Sequence, residues 1–250
     1  MSRHWPYPRV IAHRGGGSLA PENTLAAIRA GSAMGYTGVE FDVMLAADAV
    51  PVVIHDETLE RTTGTAGAVA QTPSSALAAL DAGGWFGAAF AGEPVPTYTD
   101  AARLCLELRL WANVEIKPAA GFEHETGRIV AAASTTLWQT APAAPLLSSF
   151  SVAALEQARL AAPELPRGLL VETIAPDWRE SATRLGCVSL HCDQRHLTAA
   201  QAGEILAVGF ALLCYTVNDP VRARELFSWG VDAIFTDRLD LIPPNFASDK

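Results

Sequence analysis

The chain has 250 residues, half of them hydrophobic, with 18 Lys and Arg against 27 Asp and Glu, for a net charge of −9. That length suits a single domain, and the apolar share is ample for a large buried core. The acid excess lacks the basic footprint of a nucleic-acid or anionic-membrane binder, so the cations that hold any anionic substrate must be local ones.

The opening residues, Met1 to Pro8, are polar and broken by proline, unlike the apolar stretch of a signal peptide. The longest nearly apolar run, Ala207–Val217, falls short of the roughly 18 residues that argue for a membrane span. Cys105, Cys187, Cys192 and Cys214 have no zinc spacing and read as reduced, buried thiols. The expectation is a cytoplasmic protein without stable membrane association. Nothing in the sequence speaks to oligomeric state.

Short apolar runs that read as strands are Val10–His13, Val39–Leu45, Val52–His55, Trp111–Ile116 and Leu146–Phe150, then Gly168–Val171, Val188–His191, Ala211–Val217 and Ala233–Thr236. Helical patterns fall between them at Thr24–Met34, Thr99–Leu110, Thr126–Leu137, Val152–Leu160, Trp178–Leu185, Ala199–Val208 and Arg222–Trp229. Asn23/Thr24 and Asp219-Pro220 are start signals, and Gly230 is a stop. Such alternation implies βαβ units and a parallel sheet. Nine strand candidates are one too many for a closed (β/α)₈ TIM barrel. However, Ala46–Pro51 is too short for a parallel crossover, so Val39–Leu45 and Val52–His55 read as a hairpin. Eight parallel strands then remain, as one domain spanning residues 1–250. An open doubly wound sheet is the competing architecture. Residues 57–97, rich in Gly, Ala, Thr and Pro, interrupt the rhythm and read as an insertion or cap over the barrel mouth.

The chemistry gathers at the carboxyl ends of the early strands, where barrels place active sites. His13-Arg14-Gly15-Gly16-Gly17 offers a proton carrier, a bidentate anion donor and a backbone that a ligand can approach. From these residues alone, a flexible glycine turn fits equally well. In Val39-Glu40-Phe41-Asp42-Val43 the two carboxylates project to one face. Mutual repulsion inside a barrel favours a bound cation there, against carboxylates that reach solvent or a basic partner at the rim. Val52-Val53-Ile54-His55-Asp56 ends an apolar strand abruptly, and the hairpin pairing would bring His55 level with Glu40 and Asp42. Asn113-Val114-Glu115-Ile116-Lys117-Pro118 supplies a third carboxylate and a point charge for a phosphoryl oxygen. A buried Glu–Lys ion pair is the rival reading. An all-carboxylate set suits Mg²⁺ or Ca²⁺ better than Zn²⁺. Metal, cations and two histidines are the parts for phosphoryl-ester cleavage.

Taken in order, His13-Arg14-Gly15, Ala20-Pro21-Glu22-Asn23-Thr24, Glu40-Phe41-Asp42, His55-Asp56 and Val114-Glu115-Ile116-Lys117 resemble the signature of the glycerophosphodiester phosphodiesterase family, above all its short cytosolic bacterial members. Leu80-Asp81-Ala82-Gly83, Gly92-Glu93-Pro94-Val95-Pro96, Tyr215-Thr216-Val217-Asn218 and Phe235-Thr236-Asp237 extend the likeness through nearly the whole chain. The resemblance implies a metal-dependent barrel that hydrolyses glycerophosphodiesters to sn-glycerol 3-phosphate and an alcohol such as choline or ethanolamine. It implies Glu40, Asp42 and Glu115 as metal ligands and His13 and His55 as general acid and base. Arg14 and Lys117 would hold phosphate with Glu22 in support, and Tyr215 would contact the glycerol. Two positions depart from the family: Asp48-Ala49 stands where Asp-Gly is frequent, and Tyr215 where Trp is common. The rival functions are a related phosphodiesterase or phospholipase acting on another head group, a metal-dependent sugar-phosphate isomerase, and a catalytically dead binding barrel.

Overall fold

The computed structural model describes residues 5–246. Its strands are β1 (Val10–Ala12), β2 (Gly38–Leu45), β3 (Pro51–Val53), β4 (Trp111–Ile116), β5 (Leu146–Ser149), β6 (Arg167–Val171), β7 (Ser189–Asp193), β8 (Ala211–Tyr215) and β9 (Ala233–Thr236). All except β3 pair in parallel around a ring, β1-β2-β4-β5-β6-β7-β8-β9, which closes where β9 returns to β1. Ala12 opposite Val39 and Ile11 opposite Phe235 are pairings that an open sheet cannot make. The (β/α)₈ barrel is therefore the observed fold, and the doubly wound alternative is excluded.

The extra strand is accounted for as the sequence suggested. β3 lies outside the ring, antiparallel to β2, with Val43 opposite Val53 and Leu45 opposite Pro51. It is shorter than expected because Ile54 and His55 leave the ladder after Ile54 N donates to Asp42 O at 3.1 Å.

The helices are α1 (Leu25–Ala33), α2 (Glu60–Thr63), α3 (Ser74–Leu77), α4 (Tyr98–Glu107), α5 (Glu123–Leu137), α6 (Val152–Ala161), α7 (Trp178–Arg184), α8 (Ala199–Ala207) and α9 (Pro220–Ser228). Most start where a side-chain oxygen meets an orphan N–H: Thr24 for α1, Thr97 for α4, Ser151 for α6, and Thr198 with Gln201 as a capping box for α8. Asp219 caps α9, with Pro220 in the first turn. α5 begins three residues before the expected Thr126, with Glu123 and Glu125 in its first turn, where acidic side chains complement the helix dipole. None of these helices is long and apolar enough to cross a membrane.

Apolar side chains form two layers. Val39, Phe41, Val43, Val114 and Ile116 point outward against the helices, with Phe41 packed on Tyr98 of α4 at 6.1 Å between ring centres. Ile11, Leu213 and Phe235 belong to a separate cluster with Trp111, on which Tyr7 stacks at 4.5 Å. Trp111 begins β4, so it and Tyr7 lie at the amino-terminal end of the barrel, whereas Phe235 reaches the cavity at the other end. Residues 57–97 carry α2 and α3 and bury Leu59, Val69, Leu77 and Val95 against Met44, Val52 and Ile54 of the hairpin.

At the hairpin turn Ala49 adopts φ +60°, the left-handed conformation that penalises a Cβ. Ala49→Gly should therefore stabilise the protein by roughly 0.5–1 kcal/mol, seen as a higher urea midpoint at unchanged m. An unchanged or lower midpoint would show that the turn carries no such strain.

Candidate active site

Glu40 and Asp42 alternate with outward-facing Phe41 on β2, and Asp42 lies in register with Glu115 on β4. One carboxylate oxygen from each lies within 4.8 Å of the other two. Glu40 and Asp42 are 3% and 2% exposed. Burial, reinforced by the charge of Asp42, pushes the Glu40 carboxyl up to about 7. Burial and the same Asp42 charge hold Glu115 well above the usual carboxylate range. Asp42 goes the other way: burial would raise it, but Lys117, Arg14, His55 and a hydrogen bond from Asn23 together bring it down. Glu40 Oε2 accepts the Arg14 backbone N–H at 2.9 Å, while its buried Oε1 has no protein partner. Three convergent hard donors with one oxygen orphaned fit a hard divalent cation.

Each histidine is tethered through Nδ1 by an aspartate. His13, just beyond β1, places Nδ1 2.6 Å from Asp237 Oδ1, and its Nε2 lies 3.8 Å from Glu40 Oε2. The second oxygen of Asp237 accepts from the Asn218 amide at 3.0 Å. Burial opposes the His13 charge, but the Asp237 hydrogen bond and the Glu40 charge outweigh it, and the imidazole becomes more basic. His55 Nδ1 lies 2.6 Å from Asp56 Oδ1. For His55 burial prevails, helped by Arg14 and Lys117, and the imidazole becomes less basic.

Arg14 and Lys117 bring positive charge to the same floor. Arg14 sits at φ +50°, donates from Nη1 to Glu22 Oε1 at 2.7 Å and places Nε 3.7 Å from Asp42. Lys117 Nζ lies 3.5 Å from Asp42 and 3.8 Å from Glu115, bridging two carboxylates where the rival reading had a pair with Glu115 alone. Seven of the anticipated residues, His13, Arg14, Glu40, Asp42, His55, Glu115 and Lys117, line one cavity of about 180 Å³ together with Tyr215. The Tyr215 hydroxyl donates to Val171 O at 2.7 Å, so the ring is what it turns to the cavity. Glu22 stands behind Arg14 and reaches this cavity only through it.

The glycine turn has a packing role that the sequence reading did not include. Its freedom serves the protein's own packing: a Cβ on Gly17 would stand 2.3 Å from Asp237 O, and one on Gly15 2.9 Å from Ile28 N. Asn23 differs from the expectation, because the cap of α1 is Thr24 alone. Asn23 is buried at φ +59° and exchanges two hydrogen bonds with Asp42, at 2.8 and 3.1 Å.

Sequence reasoning gave no role to two further residues. Asp237 follows β9 directly, the same strand-end position that singled out His13. Arg61, on α2, donates to Asp56 at 2.5 Å and to both oxygens of Glu22 at 2.7 Å, joining the supports of His55 and Arg14. Only its charge in an otherwise Gly-, Ala- and Thr-rich segment could have flagged it.

A parallel barrel with clustered carboxylates, paired histidines and cations at its carboxyl-terminal mouth defines a hydrolase of the phosphodiesterase type. Residues 13–241 match the Glycerophosphoryl diester phosphodiesterase family, and the chain belongs to that family. It is 33% identical over 232 residues to a glycerophosphodiester phosphodiesterase of Caldanaerobacter subterraneus, covering 91% of this chain and 93% of the relative. It superposes with a TM-score of 0.89 and 37% identity on an Oleispira antarctica phosphodiesterase solved in complex with the product sn-glycerol-3-phosphate, with 98% of each chain covered. A glycerophosphodiester phosphodiesterase from Agrobacterium tumefaciens gives a TM-score of 0.77 at 29% identity, over 96% of this chain and 99% of the other. The family resemblance read from the motifs is thus borne out, and the protein is an enzyme.

The raised carboxyls fix how the metal-free protein responds to pH. A group whose folded pKa exceeds its unfolded value contributes stability that is complete below the unfolded value and lost as pH rises through the folded one. For Glu40 that window runs from its ordinary value of 4.5 to about 7, and Glu115 acts in the same direction. In EDTA, Glu115→Gln should therefore be more stable than wild type at pH 7.5, on the order of 1 kcal/mol, with the gap closing toward pH 5. Adding Mg²⁺ or Ca²⁺ should stabilise wild type more than the variant. Urea midpoints across pH measure both effects, and a variant less stable than wild type at pH 7.5 would refute them.

Proposed function

We propose that this protein hydrolyses glycerophosphodiesters to sn-glycerol 3-phosphate and an alcohol, with Mg²⁺ or Ca²⁺ held by Glu40, Asp42 and Glu115. The observation that carries the reading is one buried carboxylate cluster served by two histidines, each tethered at Nδ1 by its own aspartate. The product complex of the Oleispira antarctica relative supports the choice of substrate. The ion, when bound, would offset the clustered negative charge and polarise a phosphoryl oxygen.

The chain's own groups supply positioning and proton transfer. Arg14 and Lys117 hold the phosphate oxygens. His55 takes the proton from the glycerol hydroxyl beside the ester, and that oxygen attacks phosphorus. As the phosphorus–oxygen bond to the alcohol breaks, His13 gives its proton to the departing oxygen. Water then opens the cyclic phosphate, with the two histidines exchanging roles.

The assignment of acid and base follows from their tethers. Asp56 is neutralised by Arg61, whereas Asp237 is held by the uncharged Asn218 amide. Against its burial, His13 is drawn up by Asp237 and Glu40, whereas burial makes His55 less basic, so His13 keeps its proton more firmly, as an acid should. In this reading the single domain carries residues 57–97 as a cap whose Arg61 braces the base.

The test is release of glycerol 3-phosphate from glycerophosphocholine and glycerophosphoethanolamine, before and after EDTA and with Mg²⁺ or Ca²⁺ restored. The expected result is release that chelation abolishes and metal restores; no release from either diester under any metal would overturn the reading. His13→Ala and His55→Ala should each lose roughly 10²–10⁴-fold in kcat. Near-wild-type turnover in either variant would remove that histidine from the mechanism.

A further inference from the structure

A second, more open cavity of about 580 Å³ adjoins the first and shares His13, Arg14 and Thr216 with it. Its other walls include Asp237 on the barrel side and Trp85 and Phe86 from the 57–97 segment. Because His13 borders both cavities while His55 borders only the inner one, the group that leaves toward His13 leaves into the outer one.

The aromatic wall is built and rigid, yet uncovered. Trp85 is 45% exposed, a high value for so large an apolar ring. Its orientation is fixed all the same: Nε1 donates to Ala82 O at 2.9 Å, and Phe86 packs edge-on against it at 5.7 Å. The turn beneath is pinned by Asp81, whose Oδ1 accepts from Gly83 N and Gly84 N at 2.9 and 2.7 Å. Gly83 has no room for a side chain, since a Cβ would stand 2.1 Å from Phe90 O. Glu93 ties the segment to the barrel by accepting from Ala26 N in α1 at 2.9 Å. The molecule thus holds an indole in place at the cavity edge without burying it.

The charges decide what that indole meets. Arg238 is committed to Asp240 through bonds of 2.8 and 2.9 Å, and Arg14 to Glu22 and Asp42. Glu22 is in turn held by Arg14 and Arg61. Asp237 has no Arg or Lys ion pair among the described residues; its partners are His13, at 2.6 Å, and the Asn218 amide, at 3.0 Å. An exposed indole held in a fixed orientation in the same cavity as a carboxylate is an arrangement that attracts an organic cation.

We propose that this outer cavity is the leaving-group subsite, and that Trp85 makes it selective for an alcohol bearing an ammonium group. The inference rests on the hydrolysis of glycerophosphodiesters proposed above. The test compares kcat/KM for glycerophosphocholine and for glycerophosphoglycerol, whose alcohol is uncharged, in wild type, Trp85→Ala and Trp85→Phe. The glycerophosphocholine preference of wild type should fall about tenfold in Trp85→Ala, whereas Trp85→Phe should keep it within about threefold. Free choline should inhibit wild type more strongly than Trp85→Ala. Equal use of both diesters by wild type, or an equal loss on both in Trp85→Ala, would overturn the subsite while leaving the activity intact. Hydrolysis of neither diester by wild type would instead strike the activity on which the subsite depends.

Discussion

The site is organised by the cost of holding three carboxylates together out of water. Glu40, Asp42 and Glu115 lie within 4.8 Å of one another at the mouth of an apolar barrel, and their charges cannot all be kept there unaided. The protein meets part of that cost with Arg14, Lys117 and the Asn23 amide, each of which reaches Asp42, Arg14 while bonded to Glu22. Asp42 stays ionised as a result, while Glu40 and Glu115 are left protonation-prone. This imbalance suits the cation proposed for the site: had the protein neutralised every carboxylate itself, nothing would remain to attract one.

The same arginine links the cluster to the rest of the machinery. Arg14 bonds to Glu22, Glu22 accepts both forks of Arg61, and Arg61 also holds Asp56, the tether of His55. Residues far apart in sequence thus form one continuous ionic chain from the cluster to the proposed base, and α2 of the 57–97 segment supplies its middle link. Exposed ion pairs contribute little to stability one at a time, but a bidentate chain of this kind fixes orientation. Loss of that segment's packing against Met44, Val52 and Ile54 would therefore release Asp56 and Glu22 together.

The barrel was legible because it rests on local rules. Eight of the strands are short, nearly continuous apolar runs between capped helices, and the hairpin followed from the brevity of Ala46–Pro51. Glu40, Asp42, Glu115 and Lys117 were legible because side chains alternate along a strand and this face ends at the mouth. Register supplied His55. Asp237 and Arg61 escaped because their importance lies in partners that only tertiary structure provides. Nothing in Phe235-Thr236-Asp237 announces that its carboxylate will meet a ring 224 positions earlier. The packing role of the glycine run escaped for a related reason: Gly15 and Gly17 are small to admit neighbouring backbone, a demand invisible until α1 and the end of β9 are in place.

That long-range contact ties chemistry to closure of the fold. His13 N donates to Thr236 O at 3.0 Å, and Ser18 N to Asp237 O at 2.8 Å, so the pairing of first and last strands continues into the loops that carry the His13–Asp237 dyad. Gly17 completes the seam, lying where any side chain would strike Asp237 O. The β1–β9 pairing must form before the proposed acid can find its tether, whereas His55 and Asp56 are neighbours in sequence and need no such event. The two dyads therefore differ in more than basicity: His55 is oriented locally, and His13 only by the completed ring. A barrel opened at this seam would keep its carboxylate cluster on the paired strands β2 and β4 and still lose the tether of the proposed proton donor.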